Sequence, residues 1–126
     1  MLNAKSLVVA VVDDDQRVTE SLENLLESAG YTVRAFSSAQ TLLASSALPK
    51  IDCLITDIGM PGMDGFELQR RMGEMRPDLP VIMITGRQEF VELPRSKGSL
   101  LFRKPFDGQA LLAAIGDALT GKENPP

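Results

Sequence analysis

Four apolar runs in this chain each end in a polar residue of a useful kind. Asp13-Asp14-Asp15 follows residues 7–12, Asp57 follows residues 52–56, Thr85 follows residues 81–84, and Lys104 stands just beyond residues 99–102. A carboxylate delivered to the end of a buried run costs desolvation unless something pairs with it. Several carboxylates crowded together also repel, and each raises the others' pKa unless a cation intervenes. An oxygen-only donor set of this kind suits Mg²⁺, which keeps several waters and needs only one or two carboxylates plus a phosphate. Lys104 and the Thr85 hydroxyl could neutralise and orient the remaining phosphoryl oxygens. A carboxylate can accept such a group covalently. The chemistry implied is Mg²⁺-assisted aspartyl phosphorylation, with Asp57 as the nucleophile. No histidine occurs anywhere, which removes Ser-His-Asp and Cys-His catalysis and all histidine metal sites.

Each residue also has a plainer reading. The Asp13-Asp14-Asp15 triplet suits a helix N-terminus, where the macrodipole favours acids. Thr85 alone reads as a strand-end turn residue and Lys104 alone as a solvated lysine. Gly59, Gly62 and Gly65 satisfy turn chemistry. The functional reading outweighs these because four strand ends supply fitting groups at once.

The elements that must position these groups follow from periodicity. Residues 7–12 are continuously apolar and β-branched, as in a strand buried on both faces of a parallel sheet. Val18, Leu22, Leu25, Leu26 and Ala29 recur at helical spacing, with Gly30 as a stop. Residues 31–36 read as a second strand, and Ser37 or Ser38 can cap a short helix bearing Leu42 and Leu43. Residues 52–56 form the third strand. Phe66, Leu68, Met72 and Met75 mark a third helix, and residues 81–84 a fourth strand. A fourth helix is expected over residues 88–97, short or irregular because of Pro94. Residues 99–102 form a fifth strand, and Asp107 caps a last helix with Leu111, Leu112, Ile115 and Leu119 on one face. This alternation predicts an α/β fold with a parallel sheet and helices on both faces. Ligand sites of such sheets gather at the carboxyl ends of the strands.

The bulk properties narrow the field further. At 126 residues, 44% hydrophobic and 24% charged, the chain is one folded domain. Residues 1–120 are expected to form that domain, and residues 121–126 a tail or the start of a linker. The net charge of −4 gives no bulk electrostatic case for direct nucleic-acid binding. The longest apolar run, residues 7–12, is too short to span a bilayer, and the N-terminus is unlike a signal peptide. The single Cys53 cannot form an internal disulfide and reads as a small buried hydrophobe. No membrane association and a cytoplasmic location are therefore expected.

Taken together, Val12-Asp13-Asp14, the stretch Asp57-Ile58-Gly59-Met60-Pro61-Gly62-Met63-Asp64-Gly65, Ile84-Thr85-Gly86 and Lys104-Pro105-Phe106 carry a resemblance. Over nearly its whole length the chain resembles the receiver domain of two-component response regulators, and the FixJ-type branch most closely. The resemblance implies a flavodoxin-like, doubly wound sheet of strand order 2-1-3-4-5, which sets strand one beside strand three and the first acids beside Asp57. It implies that Asp57 accepts a phosphoryl group from a phosphohistidine on a sensor histidine kinase. It further implies that Asp13, Asp14, Asp57 and the Gly59 backbone carbonyl hold Mg²⁺, that Thr85 and Lys104 contact the phosphoryl group, and that the Lys104–Pro105 bond is cis. A downstream transcriptional output and homodimerisation on phosphorylation belong to the same expectation, as does a non-enzymatic role with at most slow self-dephosphorylation.

The chain departs from the family's pattern in places. The segment between Thr85 and Lys104 is short by about one helical turn and contains Pro94. Leu101 stands where an aromatic switch residue is usual, and in a regular strand Phe102 would face the opposite way. Gly59 offers no side chain beside the site, while Arg87 is near enough in sequence to Thr85 to approach it. Two other functions compete. Asp13-x-Asp15 suggests a haloacid-dehalogenase-type phosphatase, although Arg17 replaces that motif's usual Thr and no substrate cap is present. The irregular fourth helix and Leu101 suggest an interaction module that keeps the fold without phosphorylation.

Overall fold

The computed structural model describes residues 7–86 and 100–123. The strands are β1 (Val8–Val12), β2 (Thr32–Phe36), β3 (Cys53–Asp57), β4 (Val81–Thr85) and β5 (Leu100–Arg103). The helices are α1 (Gln16–Ser28), α2 (Ala39–Leu43), α3 (Gly65–Met75) and α4 (Gly108–Glu123), with a 3₁₀ turn at Leu48–Lys50. All four strand pairings are parallel and the order is β2-β1-β3-β4-β5, as the resemblance implied. The helix expected over residues 88–97, with Arg87 and Pro94, lies outside the described residues.

Strand alternation divides the core into two layers. Ala10, Val12, Leu54, Val81 and Met83 face α2 and α3, where Ala39, Leu42, Leu68 and Met72 complete an apolar cluster. Val9, Val11, Cys53, Ile55, Ile82 and Ile84 face α1 and α4, joining Leu22, Leu26, Leu111, Ile115 and Leu119. Both faces are therefore buried, which is why the apolar residues of β1, β3 and β4 run consecutively up to the polar strand ends Thr56-Asp57 and Thr85 rather than falling at every second position. Cys53 is fully buried, as expected of it. In β5, Leu101 packs with the α2/α3 layer and Phe102 with the α1/α4 layer, so the two do face opposite ways.

Caps settle several element ends. Gly30 adopts φ +97°, and the Gly30 and Tyr31 N–H groups bond the Glu27 and Leu26 carbonyls, closing α1 in the left-handed conformation that favours glycine. Of the two candidate serines, Ser38 caps α2: its Oγ accepts from the Thr41 N–H at 3.1 Å and Thr41 Oγ1 accepts from the Ser38 N–H at 3.3 Å. Asp107 caps α4 through the Gln109 N–H at 3.0 Å. That helix runs to Glu123, so the boundary expected after Thr120 falls within its last turn. The turn at Leu48–Lys50 was not anticipated. Pro49 pre-sets its backbone, and the Arg76 guanidinium donates to the Leu48 carbonyl at 3.1 Å, tying it to the end of α3.

Candidate metal and phosphoryl site

The strand ladders themselves bring the polar residues together. Val12 pairs with Thr56, so Asp13 leaves β1 level with the end of β3. Asp57 pairs with Ile84 and Thr85 with Arg103, and the Lys104 N–H donates to the Thr85 carbonyl at 2.7 Å. Asp13, Asp57 and Thr85 are buried, at 1%, 6% and 1% exposure, whereas Asp14 is exposed. The Lys104–Pro105 peptide is cis, as implied by the resemblance.

Lys104 is the hub. Its Nζ lies 3.0 Å from Asp13 Oδ2 and 3.3 Å from Asp57 Oδ1. The other Asp13 oxygen, Oδ1, accepts the Asp15 N–H at 2.9 Å, which holds the carboxylate in place from both sides. Burial pushes the Asp57 carboxyl above its ordinary pKa and the Asp13 charge pushes it further, while Lys104 pulls it part of the way back. Burial works to lower the Lys104 ammonium, but hydrogen bonding to Asp13 and the charges of Asp13 and Asp57 outweigh it, leaving it above the usual lysine value.

These shifts give a signed expectation. A carboxyl whose folded pKa is raised binds its proton more tightly when folded, so its ionised form weakens the fold above that pKa and the penalty fades as pH falls through it. Asp57→Asn should therefore melt at a higher temperature than wild type at pH 7. The gap should narrow on acidification; thermal melts across pH 4–7 (a range of about three units around and above the usual carboxylate pKa) would read it, and equal melting temperatures throughout would contradict it.

Asp13, Asp14 and Asp57 each offer a carboxylate oxygen, and these atoms lie within 4.8 Å of one another. Three hard oxygen donors that close fit a hard divalent cation such as Mg²⁺ better than softer metals such as Zn²⁺ or Cu²⁺, which favour nitrogen or sulfur. Gly59 is exposed two residues beyond Asp57. Its neighbours are fixed by the Ile58 N–H on the Ile84 carbonyl at 3.0 Å and the Met60 N–H on the Ile58 carbonyl at 3.1 Å.

Asp15 does not join the three acids. Its side chain accepts the Arg17 N–H at 3.0 Å, capping α1, and pairs with the Arg17 guanidinium at 3.2 and 3.3 Å. That hydrogen bonding from Arg17 lowers its pKa, which suits a cap and not a general acid. Two residues that the sequence placed only within the turn after Asp57 shape the loop more specifically than turn chemistry requires. Asp64 caps α3 by accepting the Glu67 N–H at 2.9 Å. At Gly65 an added Cβ would stand 2.5 Å from the Asp57 carbonyl oxygen and 2.8 Å from Ile58 Cα, so only glycine lets α3 start this close to the end of β3. The Asp-Gly pair at the start of a helical pattern was the available signal.

A family model for the response regulator receiver domain matches residues 9–116. The response regulator protein TmoT of Ectopseudomonas mendocina is 36% identical over 132 residues, covering 99% of this chain and 60% of TmoT. The transcriptional regulatory protein FixJ of Bradyrhizobium diazoefficiens is 36% identical over 120 residues, covering 91% of this chain and 58% of FixJ. A crystal structure of a response regulator receiver domain protein from Clostridium thermocellum aligns with a TM-score of 0.83 at 29% identity, covering 93% of this chain and 97% of that one. The chain thus spans 58–60% of the length of these two curated relatives. It belongs to the response regulator receiver domain family, beside members of the FixJ type.

Proposed function

We propose that this chain is a phosphoacceptor switch in which Asp57 receives a phosphoryl group from a phosphohistidine on a sensor histidine kinase. The observation that carries this reading is Lys104 Nζ lying within 3.3 Å of both Asp57 and Asp13, beside three carboxylates whose oxygens lie within 4.8 Å of one another. Mg²⁺ would be held by Asp13, Asp14, Asp57 and the Gly59 carbonyl, and when bound it supplies positive charge to the phosphoryl oxygens. An Asp57 carboxylate oxygen forms the new P–O bond as the donor's P–N bond breaks and its electron pair returns to the imidazole ring. Lys104 exchanges its pairing with Asp57 for a phosphoryl oxygen, and the Thr85 hydroxyl takes another. The chain acts as an acceptor and not as an enzyme, with slow self-dephosphorylation at most.

The surrounding biology belongs to the same proposal. Residues 1–120 form the receiver, and residues 121–126 lead toward an output segment that regulates transcription, as the printed role of FixJ suggests. The domain does not itself contact nucleic acid, works in the cytoplasm away from the membrane, and pairs with a second copy when phosphorylated. Among the described residues no helix is long and apolar enough to cross a membrane. A phosphatase of the haloacid-dehalogenase type is disfavoured because Asp15, its required acid, is engaged as a helix cap. The intact acid cluster disfavours a module indifferent to phosphorylation.

Incubation with acetyl phosphate and Mg²⁺, followed by intact-mass measurement, tests the central claim. Wild type should gain one phosphoryl group and Asp57→Asn none. A wild type that stays unmodified overturns the reading, and steady turnover of a phosphate ester that depends on Asp13 but not Asp57 would support the phosphatase instead.

A further inference from the structure

The loop that follows the phosphoacceptor is covered by a side chain from a different element. Gly62, at φ +76°, forms the tip of the segment between Asp57 and α3. A Cβ on Gly62 would stand 3.0 Å from Gln40 Nε2 and 3.9 Å from both Gln40 Cδ and Oε1, so the whole amide of Gln40 lies over the bare α-carbon. Gln40 is on α2, with its side chain exposed. Its neighbours Ala39 and Leu42 are fully buried, and the reciprocal Ser38–Thr41 bonds fix the first turn of that helix.

The loop is anchored on either side of that contact. Met60 is 7% exposed, and it and the partly buried Met63 belong to the same apolar cluster as Ala39 and Leu42. Gly62 thus sits between two methionines seated on the α2/α3 layer, with Gln40 over the gap where no side chain of its own can pack. Gly59 lies one residue before Met60, in the same short segment.

Resting on the phosphoacceptor reading above, we propose that Gln40 is a positioning residue for the phosphoacceptor loop. By holding the Gly62 tip against α2 it restricts the segment that carries the Gly59 carbonyl, and so raises the affinity of the acid cluster for Mg²⁺. Ligand groups held by outer contacts bind metal more tightly because less freedom is lost on binding. The contact is one of length and shape, so an unbranched apolar side chain of similar reach should keep it.

Titration of the unphosphorylated protein with Mg²⁺, followed by calorimetry or by backbone amide shifts, reads this directly. Gln40→Ala should weaken Mg²⁺ binding by about tenfold, the lower end of the effect of losing an outer-shell contact, with a thermal melt like that of wild type, and Gln40→Met should stay near wild type. Wild-type affinity in Gln40→Ala overturns the proposal. So does equal weakening in both variants together with a lowered melting temperature, which would mark a general loosening of α2. Asp14→Asn serves as the reference that should abolish binding. If wild type itself shows no Mg²⁺ binding sensitive to Asp14→Asn, the metal reading fails along with the proposal. If that reference behaves and Gln40→Ala does not differ from wild type, only the role of Gln40 is lost.

Discussion

Replacing Lys104 with methionine should destabilise the fold by about 2–3 kcal/mol at pH 7 without Mg²⁺. Breaking a buried pair by removing one partner typically costs about 3–5 kcal/mol; the lower value reflects the 25% exposure of the Lys104 side chain. Methionine keeps the apolar stem, so the loss is that of the charge and its hydrogen bond and not of packing. What remains is Asp13 at 1% exposure and Asp57 at 6%, adjacent and no longer compensated. The pull that Lys104 exerts on the Asp57 carboxyl disappears as well, so the pKa of that group rises further above its ordinary value. The sign follows: the lost stability should return as pH falls through the new Asp57 pKa and the carboxyl takes up its proton. Mg²⁺ should also stabilise the variant more than it stabilises wild type. Urea unfolding at two pH values, with and without the ion, measures all of this through the transition midpoint. An unchanged midpoint at pH 7 would show that solvent already screens the pair.

Gly65→Ala should be nearly as costly, for a steric reason. The new Cβ meets the Asp57 carbonyl oxygen at 2.5 Å and Ile58 Cα at 2.8 Å, both backbone atoms that cannot rotate aside. Overpacking of this kind costs about 1–3 kcal/mol, and the absence of any flexible neighbour puts this position at the upper end. Either α3 withdraws from the end of β3 or β3 itself bends. Both break the Gly65 N–H bond to the Ile58 carbonyl, now 2.9 Å. The expected result is a lower unfolding midpoint accompanied by slower uptake of phosphate from acetyl phosphate, since the displaced atoms belong to Asp57, the proposed phosphoacceptor, and its neighbour Ile58. Gly73→Ala is the matched control: it lies within α3 with nothing within 4 Å of an added Cβ, and alanine favours the helix. Equal midpoints for the two variants would dismiss the steric account.

Much of this was legible in the chain because parallel strands all finish on one edge. Continuous apolar runs identified β1, β3 and β4, and the residue just past each run had to emerge at the same rim. Strand order was a different matter. Periodicity says nothing about which strand lies beside which, and that knowledge came with the Asp57–Gly65 and Lys104–Pro105–Phe106 motifs. The first acids were harder to separate. Asp13, Asp14 and Asp15 are chemically identical, and only the extended backbone of Asp15, at φ −98° and ψ 111°, turns its carboxylate onto α1 and away from the others. Gly65 read as an ordinary turn glycine because its constraint comes from the chain eight residues earlier, at Asp57, which folds back against it. Gln40 carried no signal at all, since an exposed glutamine on a short helix acquires meaning only once the loop is laid across it. Leu101 and Phe102 sort to opposite layers as strand alternation required, so the aromatic side chain of β5 lies on the α1/α4 side.

The way the polar groups leave the ladders also bears on how this sequence can drift over generations. The aliphatic positions within β1, β3 and β4 are largely interchangeable volume, so valine, isoleucine and leucine can trade places there at modest cost. Counting is stricter than chemistry here. Val12 is level with Thr56, Asp57 with Ile84, and Thr85 with Arg103. Deleting or inserting one residue inside any of these strands inverts which face each later side chain meets. It would swap the two apolar layers and carry the acid, the hydroxyl or the lysine out of the rim at the same stroke. Lineages of this domain are therefore free to rewrite the letters of their strands but bound to conserve their lengths.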